Sequence, residues 1–292
     1  MSPAPASLQP STAADLLERF RLAGGNPGRL ITVGGGAGLH WITAGANGDD
    51  SAAGISLRTR DNDFQFHRSG NDPSPTATID MFAHAVGGRG TWPGIDHATP
   101  EIAHVLVSDY FGPEEPLIVD FLVDVVGIDP GEIARHAEIV DAEASDGSHL
   151  DIRLAHPVHA LLGVVENYLR LPQRRNGEPL SRVDRLPPVV RTCISRVARE
   201  AVTETTDREV ARELEHDARW SMQTLAEKCA IPRYANFTLD MGRDLIEAIP
   251  EPEDVPVKPK FWDQEYARRG EKVDRRRRAV TNSRNASGKR TP

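Results

Sequence analysis

The sequence predicts an α+β protein, with a small mixed, twisted sheet and flanking helices followed by a helical domain. Two observations carry this. Up to about residue 155, short apolar runs and period-two segments alternate with helix-spaced stretches and glycine turns. After Pro157 only helical spacing remains, beginning with the stripe Leu161, Leu162, Val165 and Leu169.

Residues 1–11, rich in Pro, Ser and Ala, are expected to be disordered. Thr12 to Leu22 reads as a helix with Leu16, Leu17 and Phe20 on one face, ended by Gly24-Gly25-Asn26-Pro27-Gly28. Leu30 to Val33 is a buried strand, Gly34 to Gly36 a turn, Ala37 to Ala44 a short helix and Gly45 to Gly54 a polar loop. Ile55 to Phe66 reads as a second strand. Its alternation sets Asp61 and Asp63 on one face and Asn62, Phe64 and Phe66 on the other. Gly, Pro and His interrupt residues 67–100, and no element is predicted there. Ala103 to Val107 and Leu117 to Val126 are strands separated by a Gly112-Pro113 turn. Arg135 to Ala144 and His149 to Leu154 form a hairpin about Ser145-Asp146-Gly147. Val158 to Leu171, Pro188 to Thr203, Asp207 to Cys229 and Ala235 to Ile249 are helices. The domains read as an α/β domain over 12–155, a helical domain over 156–255 and a basic, disordered tail over 256–292.

A chain of 292 residues can bury a core without disulfides. Its two cysteines, Cys193 and Cys229, make no metal spacing and no disulfide framework, which suits a cytoplasmic protein. No run of about 18 apolar residues is present, so no membrane partner is expected, and Met1 to Pro10 does not read as a secretory signal. Residues 271–292 hold eight basic and two acidic residues, while the rest holds 27 basic and 41 acidic. So acidic a body does not suit sequence-independent DNA binding. No G-K-[ST] exists, which excludes a P-loop, and Leu39 stands where a dinucleotide fold wants a third Gly or Ala. His156 and His159, three apart at a helix start, are expected to be packed rather than metal-bound.

The chemistry concentrates in Arg58-Thr59-Arg60-Asp61-Asn62-Asp63. Carboxylates two apart on a strand share a face, with Cβ atoms about 7 Å apart, and can both reach a hard divalent cation. An isolated D-x-D is more often a solvated strand end or a turn. Here a glycine turn stands upstream, Gly34-Gly35-Gly36-Ala37-Gly38, where backbone N–H groups can approach phosphate oxygens. Downstream lies Leu117-Ile118-Val119-Asp120-Phe121-Leu122-Val123-Asp124, in which a carboxylate inside an apolar strand calls for a partner or a metal. Asp120 and Asp124 share a face, and either can complete a triad.

This order of motifs resembles the polymerase-β-like nucleotidyltransferase superfamily. Gly34 to Leu39, followed by Arg58 to Asp63, resembles its AbiEii toxin-like branch, which reads G-G-T-A-L and then R-x-T-x-D-I-D. His156-Pro157-Val158-His159 resembles the start of that branch's helix after the core, so the likeness spans roughly residues 30–175. The resemblance implies transfer of a nucleotide from an NTP to an acceptor hydroxyl, on RNA (a tRNA end) or protein, in a toxin–antitoxin or phage-defence setting with an antitoxin partner. It assigns Asp61, Asp63 and Asp120 to Mg2+ (or Mn2+) and catalysis. Asp120 is preferred to Asp124 because it opens an Asp-Phe-Leu segment. Gly34, Gly35 and Gly36, with Arg58 and Arg60, would bind the nucleotide. Two departures stand out. No lysine precedes Lys228, so Arg170, Arg174 or Arg175 must replace the family's helix lysine, and the loop Gly45 to Gly54 lengthens the gap to Asp61. The alternative is a catalytically degenerate member of the fold that binds protein or RNA.

Overall fold

The computed structural model describes residues 8, 11–46, 61–67, 74–93, 101–108, 110, 115–170, 180–203, 205–234, 245–251, 271 and 278. The predicted loop beyond residue 46, the strand residues 55–60, the Gly112-Pro113 turn, most of the predicted helix Ala235 to Ile249 and nearly all of both termini lie outside the described residues. The chain forms two compact units, Met1–Arg182 and Val183–Pro292.

The first unit is mixed α+β. A helix α1 (Thr12–Leu22) and a short 3-10 turn (Pro27–Arg29) lead into β1 (Leu30–Val33), α2 (Gly34–Ala46) and β2 (Asp61–Phe66). Then come α3 (Pro75–Ala85), β3 (Arg89–Thr91), β4 (Glu101–Val107), β5 (Leu117–Leu122), α4 (Pro130–His136), β6 (Glu138–Glu143), β7 (His149–Leu154) and α5 (Pro157–Arg170). The strands make one seven-stranded mixed sheet in the order β3-β4-β5-β2-β1-β7-β6. β1 runs antiparallel to β2 and parallel to β7, and β2 runs parallel to β5.

The alternation of β4 and β5 gives the sheet two unlike faces. Ala103, Val105, Val107, Leu117, Val119 and Phe121 are fully buried, whereas His104, Asp120 and Leu122 are half-buried and Ile118 is exposed. The buried face receives α1 and α3 through an aromatic cluster. Phe82 of α3 stands edge-on to Phe121 at 5.0 Å and to Phe64 at 5.7 Å, and lies 5.5 Å from Phe20 of α1. Such rings bury large apolar areas and prefer these tilted contacts.

Local chemistry explains the elements that the sequence left unassigned. α3 and α4 each begin with a capping residue followed by proline at the first helical position. The Ser74 hydroxyl accepts from the Ala77 N–H at 3.2 Å, and the Asp129 carboxylate from the Glu132 N–H at 2.9 Å. Arg135 and His136 therefore end a helix instead of opening the predicted strand. The predicted hairpin forms over β6 and β7, with Gly147 at φ +81° in its turn. α5 packs on α2, and the Trp41 indole N–H donates to the Ala155 carbonyl at 2.8 Å. The change of character near residue 155 thus precedes the boundary between the units.

The second unit is helical in its described residues. α6 (Leu180–Thr203) holds Pro187 and Pro188 inside its span and buries Leu186, Val190 and Ile194 at four-residue spacing. α7 (Arg208–Cys229) is capped by Asp207, which accepts from the Glu209 N–H at 2.8 Å, and a 3-10 turn at Leu245–Ala248 packs on it. Among the described residues no helix is long and apolar enough to cross a membrane.

Asp15 of α1 ties the helix to two distant segments. It accepts from the Ser145 N–H and hydroxyl, both at 2.6 Å, and from the Tyr110 hydroxyl at 3.0 Å. Partial burial, then the Asp15 charge, push the Tyr110 hydroxyl up to about 12, against a hydrogen bond with Thr12 that pulls it down. A tyrosine held above its unfolded value, about 10, stabilises the fold fully below that pH and loses this contribution as pH rises towards about 12. Denaturant unfolding across that window should show stability falling with pH in the native chain and a shallower fall in Tyr110→Phe. Identical slopes would contradict this.

Candidate metal and nucleotide site

The site is built where β1 turns into α2 and where β2 meets β5. Asp61 and Asp63 sit on the same side of β2, both half-buried, with Asn62 fully buried between them on the other. The parallel register sets Asp63 directly beside Asp120 and Phe64 beside Phe121. One carboxylate oxygen from each of Asp61, Asp63 and Asp120 lies within 4.8 Å of the others. Asp124 is exposed, beyond the end of β5 at Leu122, and is outside this cluster.

Gly34 to Gly36 form the first turn of α2 rather than a separate loop. Gly34 adopts φ +56°, the left-handed conformation that reverses the chain from strand to helix. A Cβ at Gly34 would collide with Asp63 Oδ2, and a Cβ at Gly36 with Asn62 Oδ1. The Gly35 N–H donates to Asp63 Oδ2 at 3.3 Å. The positive end of α2 therefore faces the acidic cluster, and its first turn lies against β2 with no room for a side chain at Gly34.

Three like charges this close repel one another, and a divalent cation relieves that cost. The donors are all carboxylate oxygens, and glycine at position 34 admits the Asp63 carboxylate where a Cβ would displace it. The three carboxylates could therefore hold a hard cation.

The other sequence candidates distribute as follows. Arg58 and Arg60 lie outside the described residues, as do Arg174 and Arg175. Arg170 Nε donates to the fully buried carboxylate of Glu166 at 2.9 Å, so its charge is engaged within α5. His156 and His159 are buried at 3% and 4% exposure, and neither joins a metal-competent group among the described residues.

Sequence reasoning missed two neighbours of Asp120. His104 of β4 stands opposite Asp120 in the antiparallel β4–β5 register. Its Nδ1 is 2.8 Å from Glu101 Oε1. Glu101, His104 and Asp120 also offer ligand atoms within 4.8 Å of one another. Residues three apart on a regular strand point to opposite faces. A β-bulge between Glu101 and Ala103 shifts the register, so Glu101 pairs with Leu122 and shares the His104 face. Spacing alone carried no signal for this pair.

The chain matches no family model, no curated protein and no solved structure in comparisons with each.

Because Gly34 combines a positive φ with contact against Asp63, Gly34→Ala should lower stability by about 2 kcal/mol or more and weaken Mn2+ binding. Urea unfolding and Mn2+ titration of the variant measure both. Native values in the two assays would show that the turn does not position Asp63.

Proposed function

We propose that the protein is a divalent-metal-dependent nucleotidyltransferase that moves a nucleotide from an NTP to an acceptor hydroxyl. The observation that carries this reading is the meeting of Asp61, Asp63 and Asp120 from two parallel neighbouring strands, beside the glycine-opened N-terminus of α2. The resemblance to the AbiEii toxin-like branch of the polymerase-β-like superfamily rests on these same residues.

In this reading Asp61, Asp63 and Asp120 hold the cation. A bound divalent ion neutralises phosphate charge and favours in-line displacement. The first turn of α2, with Gly34, Gly35 and Gly36, receives the triphosphate, since helix N-termini favour anions. Arg58 and Arg60 immediately precede the acidic pair and would supply countercharge. The acceptor oxygen attacks the α-phosphorus, a new O–P bond forms, and the bond to the departing pyrophosphate breaks. Asp120 receives the hydroxyl proton. The acceptor suggested by the resemblance is RNA or a protein hydroxyl, with an antitoxin as regulatory partner.

Incubation with each of four α-labelled NTPs, total RNA and Mg2+ or Mn2+ should give labelled product. Asp63→Ala should reduce the label by about a hundredfold or more, as expected when a group that stabilises transition-state charge is removed. Undiminished transfer by Asp63→Ala would refute the site. A native chain that binds Mn2+ yet transfers no label would instead support a degenerate fold acting in binding.

A further inference from the structure

The acidic cluster does not end at Asp120. On the same half-open face β4 presents His104 in register with Asp120, and the bulge brings Glu101 round to the ring. We propose that His104 supplies an imidazole nitrogen to the cation site at Asp120 and thereby selects a first-row transition ion, Mn2+ in the first instance, over Mg2+. This rests on the metal-binding part of the function proposed above and extends it from β2 and β5 to a third strand.

The argument begins with the Glu101–His104 hydrogen bond. A carboxylate can only accept, so His104 Nδ1 carries the proton in the 2.8 Å contact with Glu101 Oε1. In the neutral ring the lone pair then resides on Nε2. A carboxylate that holds one imidazole nitrogen fixes the ring and its tautomer, an arrangement that recurs behind metal-bound histidines. An Asp120 oxygen lies within 4.8 Å of a ring nitrogen of His104 and of a Glu101 oxygen. Asp120 belongs equally to the Asp61–Asp63 cluster, so one carboxylate joins an all-oxygen donor set to one that includes nitrogen. Oxygen donors alone suit Mg2+, while an imidazole shifts preference towards first-row transition ions. Both His104 and Glu101 are partly exposed, at 31% and 20% of their side chains, so an ion can reach them.

The test uses the full chain stripped of metal with chelator and titrated with Mn2+ or Mg2+. Pulsed electron paramagnetic resonance of the Mn2+ form should show hyperfine coupling to a histidine nitrogen. His104→Gln should abolish that coupling and cut the preference for Mn2+ over Mg2+ by about tenfold, while Mg2+ still binds. Glu101→Gln should keep the coupling and weaken Mn2+ binding by about tenfold. Bound Mn2+ without nitrogen coupling in the native chain, or coupling that survives in His104→Gln, would overturn the assignment. If Mn2+ binds without that coupling and Asp63→Ala abolishes binding, the carboxylate site stands and only His104 is excluded. If neither ion binds the native chain, the metal-dependent transfer proposed above falls as well.

Discussion

The parallel pairing of β2 with β5 is the constraint on which the site depends. Adjacent strands lie about 4.8 Å apart, so the match of Asp63 with Asp120 sets two carboxylates side by side without any loop. The same match pairs Phe64 with Phe121 on the opposite face, inside the aromatic cluster with Phe82. A slip of one residue would drive Asp120 into that cluster and Phe121 out of it. Desolvating a carboxylate there costs several kcal/mol. The aromatic core therefore holds the acidic face in register. The most apolar part of the sheet and its most charged part are two sides of one pairing.

Bringing like charges together is unfavourable by itself, and the chain answers it with backbone. α2 starts at the end of β1, so its exposed N–H groups aim at the start of β2, where Val33 pairs with Asp63. Asp63 takes one of those N–H groups, from Gly35. Gly34 is needed twice over, for its left-handed turn and because Asp63 occupies the space a side chain would fill. The helix start thus orients one oxygen of the Asp63 carboxylate.

Much of this was legible in the sequence where a local rule sufficed. Period-two alternation set Asp61 and Asp63 together, and the apolar run around Asp120 marked a carboxylate that burial alone would not tolerate. α1 and β1 were readable because apolar spacing and glycine breaks coincide at Thr12–Leu22 and Leu30–Val33. The choice between Asp120 and Asp124 was not local, since both share a face of an ideal strand. It turned on where β5 stops, at Leu122. α3 and α4 carried readable caps, Ser74-Pro75 and Asp129-Pro130, but the surrounding glycines and prolines hid them. Glu101 and His104 were beyond any spacing rule, because a bulge inverts the face that a spacing of three implies. Arg58 and Arg60 fall outside the described residues.

The missing lysine makes that third strand matter. The resemblance calls for a lysine on the helix that becomes α5, and the chain has none there. Arg170 ends α5, yet its guanidinium neutralises Glu166, a carboxylate with no solvent exposure. Moving Arg170 to a phosphate would weaken the pairing of a buried charge, which is costly. On the proposed reading, countercharge for a triphosphate then falls to α2, to arginines flanking the core and above all to the cation. A site that leans so heavily on its ion gains from a ligand that holds it more tightly. An imidazole on the neighbouring strand, steadied by its own carboxylate, is such a ligand.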